Sequence, residues 1–222
     1  MSKTLLVSGM IGLGKTSVSE FLGEEMGLEV LYESVEDNPI LPFLYTATKE
    51  DEQRERYPFL LQMWFLNTRY EAMKKALKEG NKILDRVIFE DNYFAEKFLK
   101  QGKLNQNEYM IYRKFLNTCI NDLSTYNDNK PDLMIYLKGS FDTVMSRINE
   151  RGRGYEVAPE LRDYYFDIWK DYDQWIYRNY RASDILVVDM DKIDIVNNPD
   201  DKLKLLQMVK DKLKEIGEGK NE

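Results

Sequence analysis

A short apolar run followed by a glycine-rich loop and a helix constrains this chain more than any other feature of its sequence. Thr4–Ser8 is almost continuously apolar, Gly9–Thr16 reads GMIGLGKT, and a helix is predicted over Lys15–Met26, ending at Gly27. The loop has the GxxxxGK[ST] pattern in the strand–loop–helix context that this pattern requires. Backbone N–H groups of such a loop surround phosphate groups at the start of the helix. The segment therefore predicts an α/β protein that binds a phosphate-bearing ligand.

Within this loop the side chains indicate a nucleotide and a metal ion. Lys15 is expected to reach the β- and γ-phosphates of ATP, and the Thr16 hydroxyl is expected to bind Mg²⁺. The predicted ATP contacts in the loop are Gly9, Met10, Ile11, Gly12, Leu13, Gly14, Lys15 and Thr16. Residues 129–132 read NKPD, as in guanine-binding loops, but they precede a strand and the chain contains no DxxG. We interpret them as a polar loop, and the phosphate loop by itself does not distinguish a kinase from a GTPase or an ATPase.

Four further apolar runs alternate with helical segments. The predicted strands are Thr4–Ser8, Glu29–Glu33, Lys82–Asp85, Leu133–Leu137 and Ile185–Asp189. The later helices are predicted at Pro58–Glu79, Glu108–Leu123, Ser140–Arg151, Pro159–Tyr180 and Asp200–Ile216. Residues 38–48 resemble a loop, and the charged stretch 49–56 a solvated helix or the edge of a lid. This alternation predicts one domain over residues 1–222, with a five-stranded parallel sheet covered by helices on both faces.

Composition excludes several classes of function. The net charge of −7 argues against a nucleic-acid polymer as partner, because phosphate backbones need a basic surface. The absence of histidine excludes Ser-His-Asp catalysis and His-ligated metal sites. A single cysteine, Cys119, indicates a reducing compartment. No signal peptide and no apolar run long enough for a membrane span is present, so we expect a cytoplasmic protein.

Charged residues end two of the predicted strands at the edge of the sheet where the phosphate loop lies. Glu33 ends the second strand, and a carboxylate there can accept a proton from a hydroxyl acceptor. Asp85 and Arg86 end the third strand, where Asp85 can hold Mg²⁺ or its waters and Arg86 can neutralise a transferring phosphate. From position alone, a structural ion pair is the alternative for each. These three are the candidate catalytic residues, and Asp85 joins Thr16 as a candidate metal ligand.

The predicted helix Pro58–Glu79 carries candidates for binding a base. Gln62, Phe65 and Arg69 follow i, i+3, i+7 spacing along one face, and residues 59–66 are apolar on nearly every face. This composition predicts burial on both sides. A buried glutamine needs hydrogen-bond partners, and its amide can pair with a nucleobase edge while Phe65 packs on the ring. A core glutamine bonded to the backbone is the alternative.

An arginine-rich segment over residues 147–157 is a candidate lid. Arg147 and Arg151 share one helix face, and Arg153 and Glu156 follow among glycines. Three arginines beside two glycines are typical of a mobile clamp on phosphates, although a solvated basic helix end has the same composition. Arg147, Arg151 and Arg153 are therefore predicted ATP contacts.

Five segments together resemble the deoxynucleoside kinase family, especially its bacterial deoxyadenosine/deoxyguanosine kinase branch. They are the phosphate loop at residues 9–16, YESVEDNP at 32–39, FLLQMWFLNTR at 59–69, DRVIFED at 85–91 and RINERGRGYE at 147–156. Their order and spacing extend over nearly the whole chain. One departure is Val87, which stands where the family usually has serine. The resemblance implies a P-loop kinase fold with a short arginine-rich lid.

The resemblance also implies roles for individual residues. It implies Glu33 as the base for the 5′-hydroxyl, and Asp85 with Arg86 as the pair beside the transferred phosphate. It places Gln62, Phe65 and Asp91 around the base, Tyr45 and Glu156 on the 3′-hydroxyl, and the lid arginines on ATP. A homodimer built through helices is a further implication.

The expected reaction is transfer of the γ-phosphoryl group of ATP to the 5′-hydroxyl of a purine deoxynucleoside, in nucleoside salvage. An acidic side chain at Asp91 suits the exocyclic amine of adenine or the N–H groups of guanine, and deoxyadenosine is slightly favoured. The alternatives are a deoxycytidine or broad-specificity kinase, a thymidylate-type nucleoside-monophosphate kinase, and a non-catalytic nucleotide-binding subunit.

Overall fold

One parallel sheet forms the centre of the computed structural model, which describes residues 3–33, 37–126, 130–153, 156–159 and 161–219. Its strands are β1 (Thr4–Gly9), β2 (Glu29–Leu31), β3 (Lys82–Asp85), β4 (Leu133–Lys138) and β5 (Asp184–Asp189). Their order across the sheet is β2-β3-β1-β4-β5, and every neighbouring pair is parallel. The predicted five-stranded parallel sheet is confirmed.

The central strands are buried on both faces. Successive side chains of a strand point to opposite faces, and every residue of β1 and β3 is buried. The covering helices are α1 (Lys15–Met26), α2 (Leu41–Thr46), α3 (Lys49–Glu55), α4 (Tyr57–Glu79), α5 (Asp91–Lys100), α6 (Gln106–Ser124), α7 (Phe141–Arg151), α8 (Leu161–Asn179) and α9 (Pro199–Gly219). Both α1 and α4 pack against β3, while α9 packs against β5. The sheet is therefore enclosed, as the near-continuous apolar strands predicted.

Several helix ends lie where local sequence signals placed them. The Ser140 hydroxyl accepts a hydrogen bond from the Thr143 backbone N–H and caps α7. Gly27 follows α1 and Gly152 follows α7, both in the left-handed conformation that glycine adopts without steric cost. These boundaries are local events, and the sequence predicted them correctly.

Four details differ from the sequence-based expectations. Residues 41–46 form the helix α2, and residues 91–100 form α5, which was not predicted. β2 ends at Leu31, so Glu33 lies two residues beyond the strand. Leu60 is 42% exposed, so the expected burial of residues 59–66 on both sides is wrong. The charged stretch 49–56, by contrast, agrees with the solvated helix expected there: it forms the exposed helix α3, and Arg56 follows in a left-handed conformation.

No helix in the described ranges is both long and apolar enough to cross a membrane.

Candidate active site

A cavity of about 610 Å³ lies beyond the carboxyl ends of β1, β2 and β3. Predicted site residues that line it are Ile11, Gly12, Gly14, Lys15, Thr16, Glu33, Tyr45, Gln62, Phe65, Asp85, Arg86, Arg151, Arg153 and Glu156. Predicted residues outside its lining are Gly9, Met10, Leu13, Asp91 and Arg147. The structure thus brings most of the predicted site into one space at the edge of the sheet where ligands bind in such folds.

Glycines in the phosphate loop are required by its geometry. Gly12 has a φ of +87°, and a Cβ there would lie 2.9 Å from Ile148 Cγ1. At Gly9 a Cβ would lie 2.7 Å from the Leu137 carbonyl oxygen. The loop packs so closely against α7 and β4 that a side chain at either position would collide with them. Its backbone N–H groups are thereby fixed next to the start of α1.

Lys15 occupies the mouth of this loop. Its ammonium group donates hydrogen bonds of 3.1 Å to the carbonyl oxygens of Gly9 and Met10. Burial, with the nearby positive charge of Arg86, lowers the pKa of Lys15 to about 8. A bound phosphate group would replace these two neutral carbonyl oxygens as the partner of Lys15, and its negative charge would favour the protonated form of the lysine.

Thr16 and Asp85 form the arrangement of oxygen ligands expected for a hard cation. The Thr16 hydroxyl donates a 2.5 Å hydrogen bond to Asp85 Oδ2, while Asp85 Oδ1 is buried without a hydrogen-bond partner in the described part of the chain. Burial raises the pKa of Asp85, because the charged carboxylate is poorly solvated there. An unpartnered buried carboxylate oxygen beside a phosphate loop fits Mg²⁺, which takes one or two carboxylates together with phosphate oxygens.

Glu33 is held by two arginines. Its carboxylate pairs with Arg69, and its Oε1 lies 3.1 Å from Arg86 Nε. Burial by itself would raise the pKa of Glu33, but Arg86, Arg69 and Lys15 outweigh burial and lower this pKa to about 2. Glu33 is therefore an anion at all ordinary pH values, able to accept a hydrogen bond from a hydroxyl group.

Arg69 links Glu33 to Asp91. Its guanidinium pairs with both carboxylates and lies 4.4 Å above the Phe65 ring. Asp91 is completely buried, and burial raises its pKa to about 7 despite Arg69. Arg69 lines the cavity whereas Asp91 does not. A bound base would meet Arg69 directly and Asp91 only through it, unless the pair separates.

The side chain of Gln62 is buried on α4 and lines the cavity. The side-chain amide of Gln62 makes no hydrogen bond to any described residue. It is therefore not the backbone-bonded core glutamine considered as the alternative. Tyr45, on α2, lines the same cavity.

The arginines of the candidate lid occupy two different places. Arg147 donates hydrogen bonds to the carbonyl oxygens of Leu13, Met190 and Ile193, at 3.2, 3.0 and 3.2 Å. It therefore ties the phosphate loop to the loop after β5. Arg151 and Arg153 line the cavity, and both pair with the buried Glu156.

The predicted lid extends over residues 147–157, and its residues 154 and 155 lie outside the described ranges. Its described arginines meet on Glu156, which is 5% exposed. A clamp on phosphates would require them to exchange this carboxylate for the ligand.

Sequence reasoning assigned no role to several residues of the cavity. Arg69 was noted for its spacing along α4, which was the available signal. Phe94 and Phe98 on α5 and Tyr164 on α8 also line the cavity. No motif marks these aromatic side chains, because only the packing of their helices directs them toward the site.

A phosphate loop lies at the edge of a five-stranded parallel sheet, beside the Thr16–Asp85 hydrogen bond, a buried glutamate and several arginines. This arrangement defines a P-loop phosphotransferase. Residues 5–214 match the family model described as deoxynucleoside kinase. The chain belongs to the deoxynucleoside kinase family, and its enzymatic activity is phosphorylation of a deoxynucleoside. The family expected from the sequence motifs is confirmed.

Relatives of known name agree with this assignment. A deoxyguanosine kinase of Lactobacillus johnsonii is 37% identical over 216 residues, covering 96% of this chain and 93% of the relative. A deoxyadenosine kinase of Lactobacillus acidophilus is 37% identical over 220 residues, covering 98% and 99%. The solved structure of deoxyadenosine kinase from M. mycoides with bound dCTP has a TM-score of 0.75 and 26% identity, covering 96% of this chain and 99% of that one.

Proposed function

We propose that this kinase transfers the γ-phosphoryl group of ATP to the 5′-hydroxyl of a purine deoxynucleoside, with deoxyadenosine slightly favoured over deoxyguanosine. One observation carries the proposal: the same cavity is lined by residues of the phosphate loop, by Glu33 and by Gln62, whose side-chain amide has no hydrogen-bond partner among the described residues. A cavity of this composition accommodates a triphosphate, a hydroxyl acceptor and a base together. The names of the two Lactobacillus relatives support the purine preference.

Glu33 is proposed as the residue that orients the 5′-hydroxyl and accepts its proton. With a pKa of about 2 it is a weak base, so its contribution is mainly orientation of the hydroxyl. This is sufficient because phosphoryl transfer has a loose transition state in which the nucleophile needs little activation. Arg86, which pairs with Glu33, is proposed to neutralise the transferring phosphate.

Thr16 and Asp85 are proposed to hold Mg²⁺ with the phosphate oxygens of ATP. When bound, the ion would neutralise negative charge on the phosphates. Lys15 is proposed to leave the carbonyl oxygens of Gly9 and Met10 for the β- and γ-phosphates. The loop backbone around Gly12 and Gly14 supplies N–H groups to the same phosphates.

The remaining proposed contacts are made to the nucleoside, at its base and 3′-hydroxyl, and to ATP. Gln62 and Phe65 would bind the base, with Asp91 setting base preference through Arg69. Tyr45 and Glu156 would bind the 3′-hydroxyl, which requires Arg151 to release Glu156. Arg151 and Arg153 would then contact ATP, whereas Arg147 would support the phosphate loop through the Leu13 carbonyl.

Phosphoryl transfer from ATP to deoxyadenosine, deoxyguanosine, deoxycytidine, thymidine and thymidylate tests this proposal. Purine deoxynucleosides are expected to have the highest kcat/KM. A preference for deoxycytidine would support the proposed reaction but reject the proposed preference for a purine base. Turnover of thymidylate alone would reject the acceptor, and turnover of none would favour a non-catalytic nucleotide-binding subunit.

A homodimer is also proposed, supported by an apolar surface on helices that pack together. Met110, Ile111 and Phe115 on α6 are 60%, 55% and 45% exposed, and Leu60 on the adjacent α4 is 42% exposed. Exposed apolar side chains grouped on neighbouring helices are typical of a surface that associates with another chain, and a second copy is the proposed partner. Sedimentation of wild type and of an Ile111→Glu variant tests this surface: a monomer in both would reject the dimer.

A cytoplasmic location is also proposed, supported by the free, buried Cys119.

A further inference from the structure

Arg86 has a second carboxylate partner behind the site. Glu90 is completely buried, and its Oε2 lies 3.5 Å from Arg86 Nη1. Glu90 is absent from the lining of the cavity, whereas Arg86 belongs to it. Glu90 therefore contacts the guanidinium on the side away from the ligand space.

Tyr172 on α8 fixes this carboxylate. Its hydroxyl donates a hydrogen bond to Glu90 Oε2, the same oxygen that approaches Arg86. The other oxygen, Oε1, is buried and has no hydrogen-bond partner in the described part of the chain. A buried carboxylate oxygen without a partner costs stability, so stability alone does not account for a charged residue at this position.

The backbone and side chain of Arg86 are also constrained. Its φ is +78°, a conformation that residues with a side chain rarely adopt, and its backbone N–H donates to the Val7 carbonyl of β1. The guanidinium lies 5.1 Å from the centre of the Phe94 ring. Its ion pairs use Nε, toward Glu33, and Nη1, toward Glu90, while Nη2 makes no hydrogen bond within the described ranges.

We propose that Glu90, anchored by Tyr172, is a positioning residue that holds the Arg86 guanidinium so that Nη2 meets the transferring phosphate. Glu33 contacts the guanidinium through Nε alone, so Glu90 on Nη1 restrains a rotation of the group that Glu33 by itself would leave free. Without Glu90, the carboxylate still paired with Arg86 in the described part of the chain would be Glu33, which would draw Arg86 toward itself. This inference rests on the roles proposed above for Arg86 and Glu33.

Glu90→Gln tests the proposal, because it removes the charge and keeps the shape. With the preferred nucleoside, kcat is expected to fall by about 10- to 100-fold, the usual effect of disturbing a residue that orients a catalytic group. The KM values for nucleoside and ATP should change by less than about threefold, because Glu90 lies outside the cavity. Circular dichroism and thermal melting of each variant establish that it is folded.

Tyr172→Phe and the double variant separate positioning from a general loss of stability. Tyr172→Phe alone should lower kcat, and the double variant should be no slower than Glu90→Gln, because Tyr172 acts only through Glu90. Tyr112→Phe is the matched control: Tyr112 is equally buried and its hydroxyl has no hydrogen-bond partner in the described ranges. Its kcat should equal that of wild type.

A Glu90→Gln kcat within about twofold of wild type would overturn the proposal, because a positioning residue is worth more than that. Losses that multiply in the double variant would overturn it as well. If the Glu90→Gln variant does not fold, an unchanged kcat in Tyr172→Phe would overturn the proposal instead. A wild type that phosphorylates no deoxynucleoside would reject the proposed function together with this inference, whereas an active wild type isolates the role of Glu90.

Discussion

The hydroxyl of Thr16 donates a 2.5 Å hydrogen bond to the carboxylate of Asp85, a residue 69 positions further along the chain. The contact exists because β1 and β3 are adjacent and parallel, with Val7 opposite Asp85. The phosphate loop that follows β1 and the charged end of β3 therefore meet at one edge of the sheet. This pairing supplies the oxygen ligands proposed for Mg²⁺.

Asp85→Asn is expected to raise the Mg²⁺ concentration needed for half-maximal activity and to lower kcat by about 100-fold, because the cation loses its charged ligand. Mg²⁺ titrations of initial rate at saturating ATP measure both effects. Asp189→Asn is the control, since Asp189 also ends a strand but pairs with Lys192. An unchanged Mg²⁺ requirement in Asp85→Asn would remove Asp85 from the metal site.

Glu33→Gln is expected to lower kcat by about 10²- to 10⁴-fold and to leave nucleoside binding nearly intact, because the neutral amide orients the 5′-hydroxyl less firmly than the carboxylate and cannot accept its proton. Quenched-flow rates and calorimetric titration with nucleoside measure the two properties separately. Glu29→Gln, on β2 and paired with Lys75 and Lys82, is the control that should keep full activity. Substantial turnover by Glu33→Gln would contradict the assignment of Glu33 as base.

The pH dependence of ATP use should reflect Lys15, whose pKa is lowered to about 8 by burial and by Arg86. The positive charge is present below this pKa and is lost as pH rises through it, so kcat/KM for ATP should decline above about pH 8. In the ATP complex the phosphates favour the charged form, and the decline in kcat should move to higher pH. Deoxyadenosine is the suitable acceptor, and profiles flat to pH 10 would contradict this prediction.

Asp91→Asn should change base preference although Asp91 does not line the cavity. Arg69 would lose one of its two carboxylates and turn toward Glu33, which alters the group presented to the base. We expect the ratio of kcat/KM values for deoxyadenosine and deoxyguanosine to shift by about tenfold, the effect of one displaced hydrogen-bonding group. Glu96→Gln on the same helix is the control, because Glu96 bonds Asn92 and lies outside the cavity lining. An unchanged ratio would show that Asp91 does not influence the base.

The phosphate loop and the central strands could be predicted because their signals are local. Gly12 needs its positive φ whatever the rest of the fold does, and a run such as Leu133–Leu137 has few alternatives to a buried strand. Helix α5 escaped prediction because a ten-residue helix is too short to be stable by itself. It is held by packing against α4, α6 and α8, which the sequence does not display.

The sequence by itself determined the fold class and the phosphate loop, because each depends on neighbours within a few positions. Its motifs, taken together along the chain, also identified most of the cavity residues. Their roles stay predictions. Tertiary structure decided how the charges pair: Arg69 between Glu33 and Asp91, and Arg86 between Glu33 and Glu90. These pairs join α4, α5 and the segments that follow β2 and β3. Their geometry depends on how each helix is rotated against the sheet, and that rotation is set by packing of the whole core.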